Sequence, residues 1–278
     1  KILIQPSFKV SRSNKITIHN NGVLVKIGST NSFTTESKNY FALVESVLSE
    51  EISEIRKKAI NDFVLSAKRK NYWDKIVGFY LPIWGNATAN KYNLKDVLLK
   101  ELNFNGTINH ANGYIAGSGG AYVDSGINPS TDGLGDASAL LAFNSLTNSS
   151  EDVVDMGIYA SITQQMYIKA RNSSGNAASA IYLHSSPASA STPSSLGFFS
   201  AHRDSLSSLE LYKNATLIAS TSNSGGTAVN SNIYFLSANS GGAASDASTR
   251  SYNFFCVGKA VTLISDFNSD VTSLLSKI

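Results

Sequence analysis

The chain of 278 residues has one cysteine, Cys256, which excludes an internal disulfide and any zinc site built on cysteine. Charge is scarce as well. Asp, Glu, Lys and Arg make up 15% of the residues, against roughly 25% in an average soluble protein. No run approaches the roughly 18 to 20 apolar residues of a membrane-spanning helix, so no membrane insertion is expected. Gly-x-Ser-x-Gly, His-Glu-x-x-His and P-loop strings are all missing, which removes the commonest hydrolase, metalloprotease and nucleotidase signatures. What is plentiful is small and neutral: Ser, Asn, Thr, Ala and Gly. Such a surface suits many short strands and turns better than long solvated helices. Hydrophobic residues at 42%, with 13 Phe and 12 Tyr, are ample for a buried core and exclude global disorder. The chain opens on Lys1 rather than Met, and we expect a trimmed product or the ordered part of a longer protein.

The net charge of +3 hides an asymmetry. Residues 1–100 hold 16 basic and 8 acidic groups, a balance of +8, and residues 101–278 hold 7 and 12, a balance of −5. Opposite signs suggest different partners for the two parts or attraction between them. The basic residues are spread through amphipathic sequence instead of alternating with aromatics, so no nucleic acid partner is expected.

Three segments are expected. Residues 1–36 form a β-hairpin arm, in which Ile16-Thr17-Ile18 and Val23-Leu24-Val25 flank Asn20-Asn21-Gly22, a strong signal for a type I′ turn. A lone hairpin is marginal in water, so the arm needs a neighbour. Residues 37–100 form a helical lead-in with one long amphipathic helix across 37–76. Ser37 and Ser49 are its candidate N-caps. Ile52, Ile55, Ala59, Ile60, Phe63, Val64 and Ala67 recur at helical spacing against a charged opposite face. Residues 101–278 carry short β-prone runs separated by turn residues, with period two in places. In residues 164–171, Met166, Ile168 and Ala170 alternate with Tyr167 and Lys169. Half-buried antiparallel strands at regular spacing indicate a mainly β, two-sheet sandwich, and the lack of intervening helices excludes a parallel α/β sheet. A short C-terminal helix follows, with Phe267, Val271, Leu274, Leu275 and Ile278 on one face and Ser265 or Asp266 as cap.

An ordered set of loose motifs spans residues 55–278. It runs through Trp73-Asp74-Lys75-Ile76, Phe79-Tyr80-Leu81-Pro82-Ile83, Asn93-Leu94-Lys95 and Gly113-Tyr114-Ile115. It continues through Ala121-Tyr122-Val123-Asp124-Ser125-Gly126-Ile127-Asn128-Pro129, the hairpin from Leu209 to Ser220, and Asn232-Ile233-Tyr234-Phe235-Leu236. Together they resemble the concanavalin-A-like, laminin-G-like jelly-roll domains of phage virion proteins and Bacteroidota surface proteins. The resemblance implies a two-sheet antiparallel jelly roll. The sequence departs from it at the hairpin turn, where Ala215 follows Asn214 in place of glycine. Ala at positive φ costs about 1 kcal/mol, which points to a different or longer turn.

Candidate chemistry is sparse. Retaining glycosidases need two carboxylates roughly 5 Å apart, and in Glu151-Asp152-Val153-Val154-Asp155 the carboxylates Asp152 and Asp155 fall on opposite faces of an extended strand. That stretch reads as a loop entering a strand. His202-Arg203-Asp204 lacks the glycine-rich loop and strand lysine of a kinase and reads as a strand end. Gly117-Ser118-Gly119-Gly120 reads as a loop between strands. Calcium is the one cofactor with support, from Asp124, Asn128, Asp132 and Asp136 in one Gly-rich loop, although these are also ordinary turn residues. Glycan binding uses exposed aromatics and amides over a shallow surface, and Tyr167, Tyr182 and Tyr212 are the candidate platforms. Cys256 alternates with Phe254 and Tyr252 and reads as a small buried hydrophobe.

The expected function is therefore a non-enzymatic bacteriophage virion surface protein, such as a head fibre, decoration protein or tail appendage, whose jelly roll holds host-surface glycans. Its expected partners are other virion proteins and further copies of itself. The rival reading is a secreted bacterial carbohydrate-binding module or adhesin, with a glycoside hydrolase as a minor option.

Overall fold

A computed structural model describes residues 33–135, 137–161, 164–181, 187–222 and 226–278, together with the backbone of three strands nearer the N-terminus. The chain divides into two units, Lys1–Phe33 and Thr34–Ile278. In the first, β1 (Lys9–Val10), β2 (Ile16–Asn20) and β3 (Val23–Ile27) pair antiparallel in that order. Asn20 stands opposite Val23, the register of the expected hairpin; Asn21 and Gly22 themselves lie outside the described residues.

The helical stretch expected across 37–76 is two helices. α1 (Thr35–Leu48) is capped by Thr34, whose hydroxyl accepts from Ser37 N at 3.2 Å, so the second unit begins before the expected boundary at residue 36. Ser37 is buried inside the helix rather than capping it. Ser49 ends α1 with φ 58° instead of starting a helix, and Ser53 caps α2 (Glu54–Arg69). The charge of Glu50 and Glu51 marks the break between the helices, not the first turn of the second. The predicted apolar face of α2 is buried from Ala59 to Ala67, but Ile55 in the first turn is 74% exposed. Lys57 pairs with Glu45 on α1 at 2.8 Å.

The lead-in is structurally part of the sandwich, because β4 (Ile76–Tyr80) pairs with the last strand of the chain. After the short α3 (Ala87–Asn90) come β5 (Asn103–Ala111), β6 (Tyr114–Asp124), β7 (Ala139–Ser145), β8 (Met156–Ser161) and β9 (Gln164–Lys169). Then follow β10 (Asn176–Ile181), β11 (Ala188–Ser191), β12 (Gly197–Ser205), β13 (Ser208–Lys213) and β14 (Thr216–Thr221). β15 (Tyr234–Phe235), β16 (Ala238–Ser240), β17 (Ala243–Ser245), β18 (Ser251–Gly258) and α4 (Ile264–Leu275) complete the chain. The strand order is β11-β10-β9-β8-β15-β6-β18-β7-β12-β13-β14, with β5 on β6, β4 on β18 and β16 on β8. Pairing is antiparallel except between β16 and β8.

This ribbon folds over so that β11 lies against β14, and β10 against β12 and β13. Leu141, Phe143, Phe199, Leu209 and Leu211 of one layer share a core with Met156, Ile158, Met166, Ile168 and Ile181 of the other, all fully buried. The result is the expected antiparallel β-sandwich with a C-terminal helix. β7 is buried at every position, which a strand covered on both faces requires. α4 seats Phe267 against Tyr72 and Phe198, and Asn268 Oδ1 accepts from the Ser200 hydroxyl at 2.8 Å. Its Asp270 accepts from Ser66, Lys70 and Tyr72 at 2.7 to 3.0 Å. The cap expected from Ser265 or Asp266 is absent: α4 starts after Leu263 without a side-chain cap bond.

Two other differences have local causes. β6 runs through Gly117–Gly120, where a loop was expected, because Gly119 and Gly120 adopt φ 59° and 84° and absorb a register shift within the strand. The β13–β14 turn keeps its two-residue length. Asn214 and Ala215 both take positive φ, 47° and 66°, so the strained turn is accepted rather than lengthened. Asn214 helps to hold it, since its Oδ1 accepts from Phe198 N at 3.0 Å.

Candidate functional site

Val123, Phe235, Met156 and Ile168 point into the core. Their chain neighbours Asp124, Tyr234, Gly157 and Tyr167 therefore fall on the opposite face, since side chains alternate along a strand. The registers place them in one row: Asn103 opposite Asp124, Asp124 opposite Tyr234, Tyr234 opposite Gly157, and Gly157 opposite Tyr167. Two residues before Asp124 on β6, Tyr122 faces Asn105.

Tyr122 and Tyr234 stack at 4.3 Å with an interplanar angle of 19°. Tyr234 is the buried partner, donating to Gly242 O at 3.1 Å. Burial first, then the neighbouring Tyr122 and Asp124, push its phenol up to about 12, so it stays a neutral donor. Asp124 Oδ1 accepts from Gly126 N at 2.8 Å and from Asn232 Nδ2 at 3.0 Å. Asn103 is exposed, and Asn105, Tyr122, Asp124 and Asn232 are half-buried. A carboxylate with spare lone pairs, three amides and a fixed aromatic ring thus share one shallow patch. These are acceptors, donors and an apolar plate for a polyhydroxylated ligand.

The expected glycan platforms fare differently. Tyr167, expected to point outward, is buried at 7% exposure. Tyr159 closes on its ring edge-on at 5.4 Å, and Lys169 lies over both rings. Gly157 opposite it leaves the space, for a Cβ there would meet the Tyr167 Cβ at 2.5 Å. Tyr212 is half-buried on β13 and donates to Glu210 Oε2 at 2.6 Å. Tyr182 lies outside the described residues.

The expected calcium ligands are engaged in turn chemistry. Asp132 Oδ2 accepts from Asn128 N at 2.7 Å and pairs with Lys100 at 2.8 Å. Asn128 Oδ1 accepts from Ser130 N, and its amide donates to Asn230. Asp124 belongs to the tyrosine patch, and Asp136 lies outside the described residues. Among the described residues no group of three or more His, Cys, Asp or Glu is gathered as for a metal ion.

The Glu151–Asp155 stretch does lead into a strand, and its last residue has a role that spacing did not reveal. Asp155 is fully buried in an ion pair with Arg250 Nη1 at 2.8 and 3.0 Å, and it also accepts from Tyr252 Oη and from Ala170 N at 2.6 Å. Arg250 in turn reaches Ser149 Oγ at 3.0 Å and Arg171 O at 2.6 Å. Asp152, by contrast, is exposed and bonded to Ser173. In the His202-Arg203-Asp204 triplet, His202 and Arg203 are buried on β12. His202 Nε2 accepts from Val261 N at 3.2 Å, and burial holds its imidazole below the ordinary value. Cys256 is fully buried, and burial pushes its thiol up. On the helical side, a cleft of about 310 Å³ is lined by Glu36, Lys68, Asn71, Trp73 and Asp74. The Glu36–Lys68 ion pair at 2.7 Å already satisfies its strongest charges.

No family model matches this chain, and no curated protein does. Solved structures match in fold. The binding domain of botulinum neurotoxin DC, in complex with rat synaptotagmin II, superposes with a TM-score of 0.51 at 12% identity, over 73% of this chain and 52% of that one. Domain 4 of AbnA, a GH43 extracellular arabinanase from Geobacillus stearothermophilus solved with arabinotriose, gives 0.43 at 12% identity, over 72% of this chain and 98% of that one. Trypanosoma rangeli sialidase gives 0.47 at 11% identity, over 94% and 42%. At these identities the likeness is one of fold alone, and this chain spans about half the length of the neurotoxin binding domain.

Proposed function

We propose that this chain is a non-catalytic glycan-binding jelly roll carried on the surface of a bacteriophage virion, as a head fibre, decoration protein or tail appendage. The observation that carries the glycan reading is the patch of Tyr122, Asp124, Asn103, Asn105 and Asn232, in which an aromatic plate lies beside part-exposed amide and carboxylate groups. The virion reading is supported by the motif order in the sequence and by the first unit. Residues 1–33 hold five basic groups and no acidic one, which suits docking to an acidic particle surface and would weaken with salt.

A glycan array followed by calorimetry on the full chain tests the first part. Tyr122→Ala and Asp124→Asn should each weaken a retained glycan roughly tenfold, the worth of a stacking contact or a charge-assisted hydrogen bond. Unchanged binding in both variants, or no retained glycan, refutes it. Turnover of any retained glycan in a reducing-end assay refutes the non-catalytic reading. Absence of the protein from purified phage particles by mass spectrometry refutes the virion assignment.

A further inference from the structure

Residues 101–278 contain only seven cations against twelve acids. Two of the seven, Arg171 and Lys213, nevertheless lie close together on the facing layers, with no carboxylate among the described residues paired to either. Arg171 follows β9, and Lys213 ends β13. Two loop residues connect them. The guanidinium lies over Gly175, where an added Cβ would sit 3.8 Å from Arg171 Nη2. The Gly175 carbonyl accepts from Thr192 N at 2.9 Å, and the Thr192 hydroxyl accepts from Lys213 Nζ at 2.9 Å. Lys213 also donates to Ser194 O. Its ammonium stands 5.2 Å over the ring of Phe199, a core residue, so the pair sits at the end of the core where the layers meet solvent.

Among the described residues neither cation takes part in an ion pair. Arg171 Nε is buried without a hydrogen-bond partner, an uncompensated cost that native structures rarely carry. Burial first, and the Arg171 charge second, hold the Lys213 ammonium below its usual range. An anion between the two groups would satisfy the orphaned donor and relieve the repulsion. The planar guanidinium fork favours a carboxylate, and the buried Thr192, whose hydroxyl accepts from Lys213 and donates to Ser194 O at 3.0 Å, holds the ammonium in place.

We propose that Arg171 and Lys213 form an anion-binding site at this end of the sandwich, and that its ligand is the carboxylate of an acidic sugar. The choice of a sugar rests on the glycan reading above, whereas the anion site rests on the two cations alone. The test titrates the full chain with the methyl glycoside of N-acetylneuraminic acid, with methyl galactoside and with inorganic sulfate, for the native protein and for Arg171→Gln, Lys213→Gln and the distant Lys277→Gln. The acidic sugar should bind, lose roughly tenfold or more in affinity in each of the first two variants, and be indifferent to the third. The side-chain Nε–H resonance of Arg171, followed by NMR in the unmutated protein, should shift on titration, a readout that holds even if a variant misfolds. Sulfate binding without acidic-sugar binding overturns the ligand assignment. Acidic-sugar binding indifferent to both variants, or an unmoved Arg171 resonance at saturation, overturns the site. Loss of neutral-glycan binding in Tyr122→Ala reports separately on the proposed function.

Discussion

The Asp155–Arg250 pair invites the most demanding perturbation, because both side chains are fully excluded from solvent. Removing one partner of such a pair strands a charge in a low-dielectric interior and costs about 3–5 kcal/mol. Here the lower end applies. Asp155→Ala leaves Arg250 with Ser149 Oγ and Arg171 O as acceptors, and Arg250→Met leaves Asp155 with Tyr252 Oη and Ala170 N. At roughly 2–4 °C per kcal/mol for a domain of this size, each single variant should melt about 6–12 °C below the parent. Asp155→Ala combined with Arg250→Met removes both charges and should cost less than the sum of the two single changes, because neither ion is left behind. Calorimetry of the four proteins of this double-mutant cycle, at neutral pH, measures the coupling directly. Single variants that melt within 2 °C of the parent, roughly the shift of 1 kcal/mol, or strictly additive effects, would show that the pair is not the buried tie described above.

Three further outcomes are expected. Ala215→Gly should raise stability by about 1 kcal/mol in urea unfolding, because the turn already holds residue 215 at φ 66°; a loss of stability would mean that the turn relaxes differently. His202 should make the fold acid-sensitive. Its folded value lies below the ordinary 6.5, so the unfolded chain takes up the proton first, and stability is full above pH 6.5 and falls as pH drops through the folded value. A urea midpoint that falls equally between pH 7.5 and 5.5 in His202→Gln would assign that loss to other groups. Residues 34–278 alone should melt cooperatively close to the full chain, since the two units are compact by themselves; non-cooperative melting would refute the division.

The sandwich was legible because its signal is collective. Alternation in residues 164–169 and the turn residues between strands specify half-buried strands whatever their partners. β5 was not legible, since Asn103, Asn105, Thr107, Asn109 and His110 read as loop and become a strand only by pairing with β6. The break between α1 and α2 escaped because apolar spacing continues across it, and only the φ of Ser49 reveals the stop. Among the site residues, Tyr167 was misplaced by the same alternation that found its strand. Period two tells which face a residue takes, not whether Tyr159 and Lys169 cover that face. Asp124 was singled out for a metal on composition, while Tyr122 and Tyr234 were seen only as motif positions. Their stacking joins residues more than a hundred apart in sequence, a proximity that one sequence does not encode locally.

The position of β18 has a consequence for how the chain is made. This strand lies between β6 and β7 and also takes β4 along part of its edge, yet it is made after every other described strand of its sheet. Until residues 251–258 leave the ribosome, the two halves of the ribbon have no common seam, and β4 waits without a strand partner among the described residues. Contacts across some 175 residues of sequence make closure slow, with partly assembled strands exposed in the interval. A product that stops before residue 251 would lose the middle of the sheet rather than an end of it. Such fragments should be cleared or aggregate, and the yield of folded protein would then depend on complete synthesis of this strand more than on the strength of any single contact.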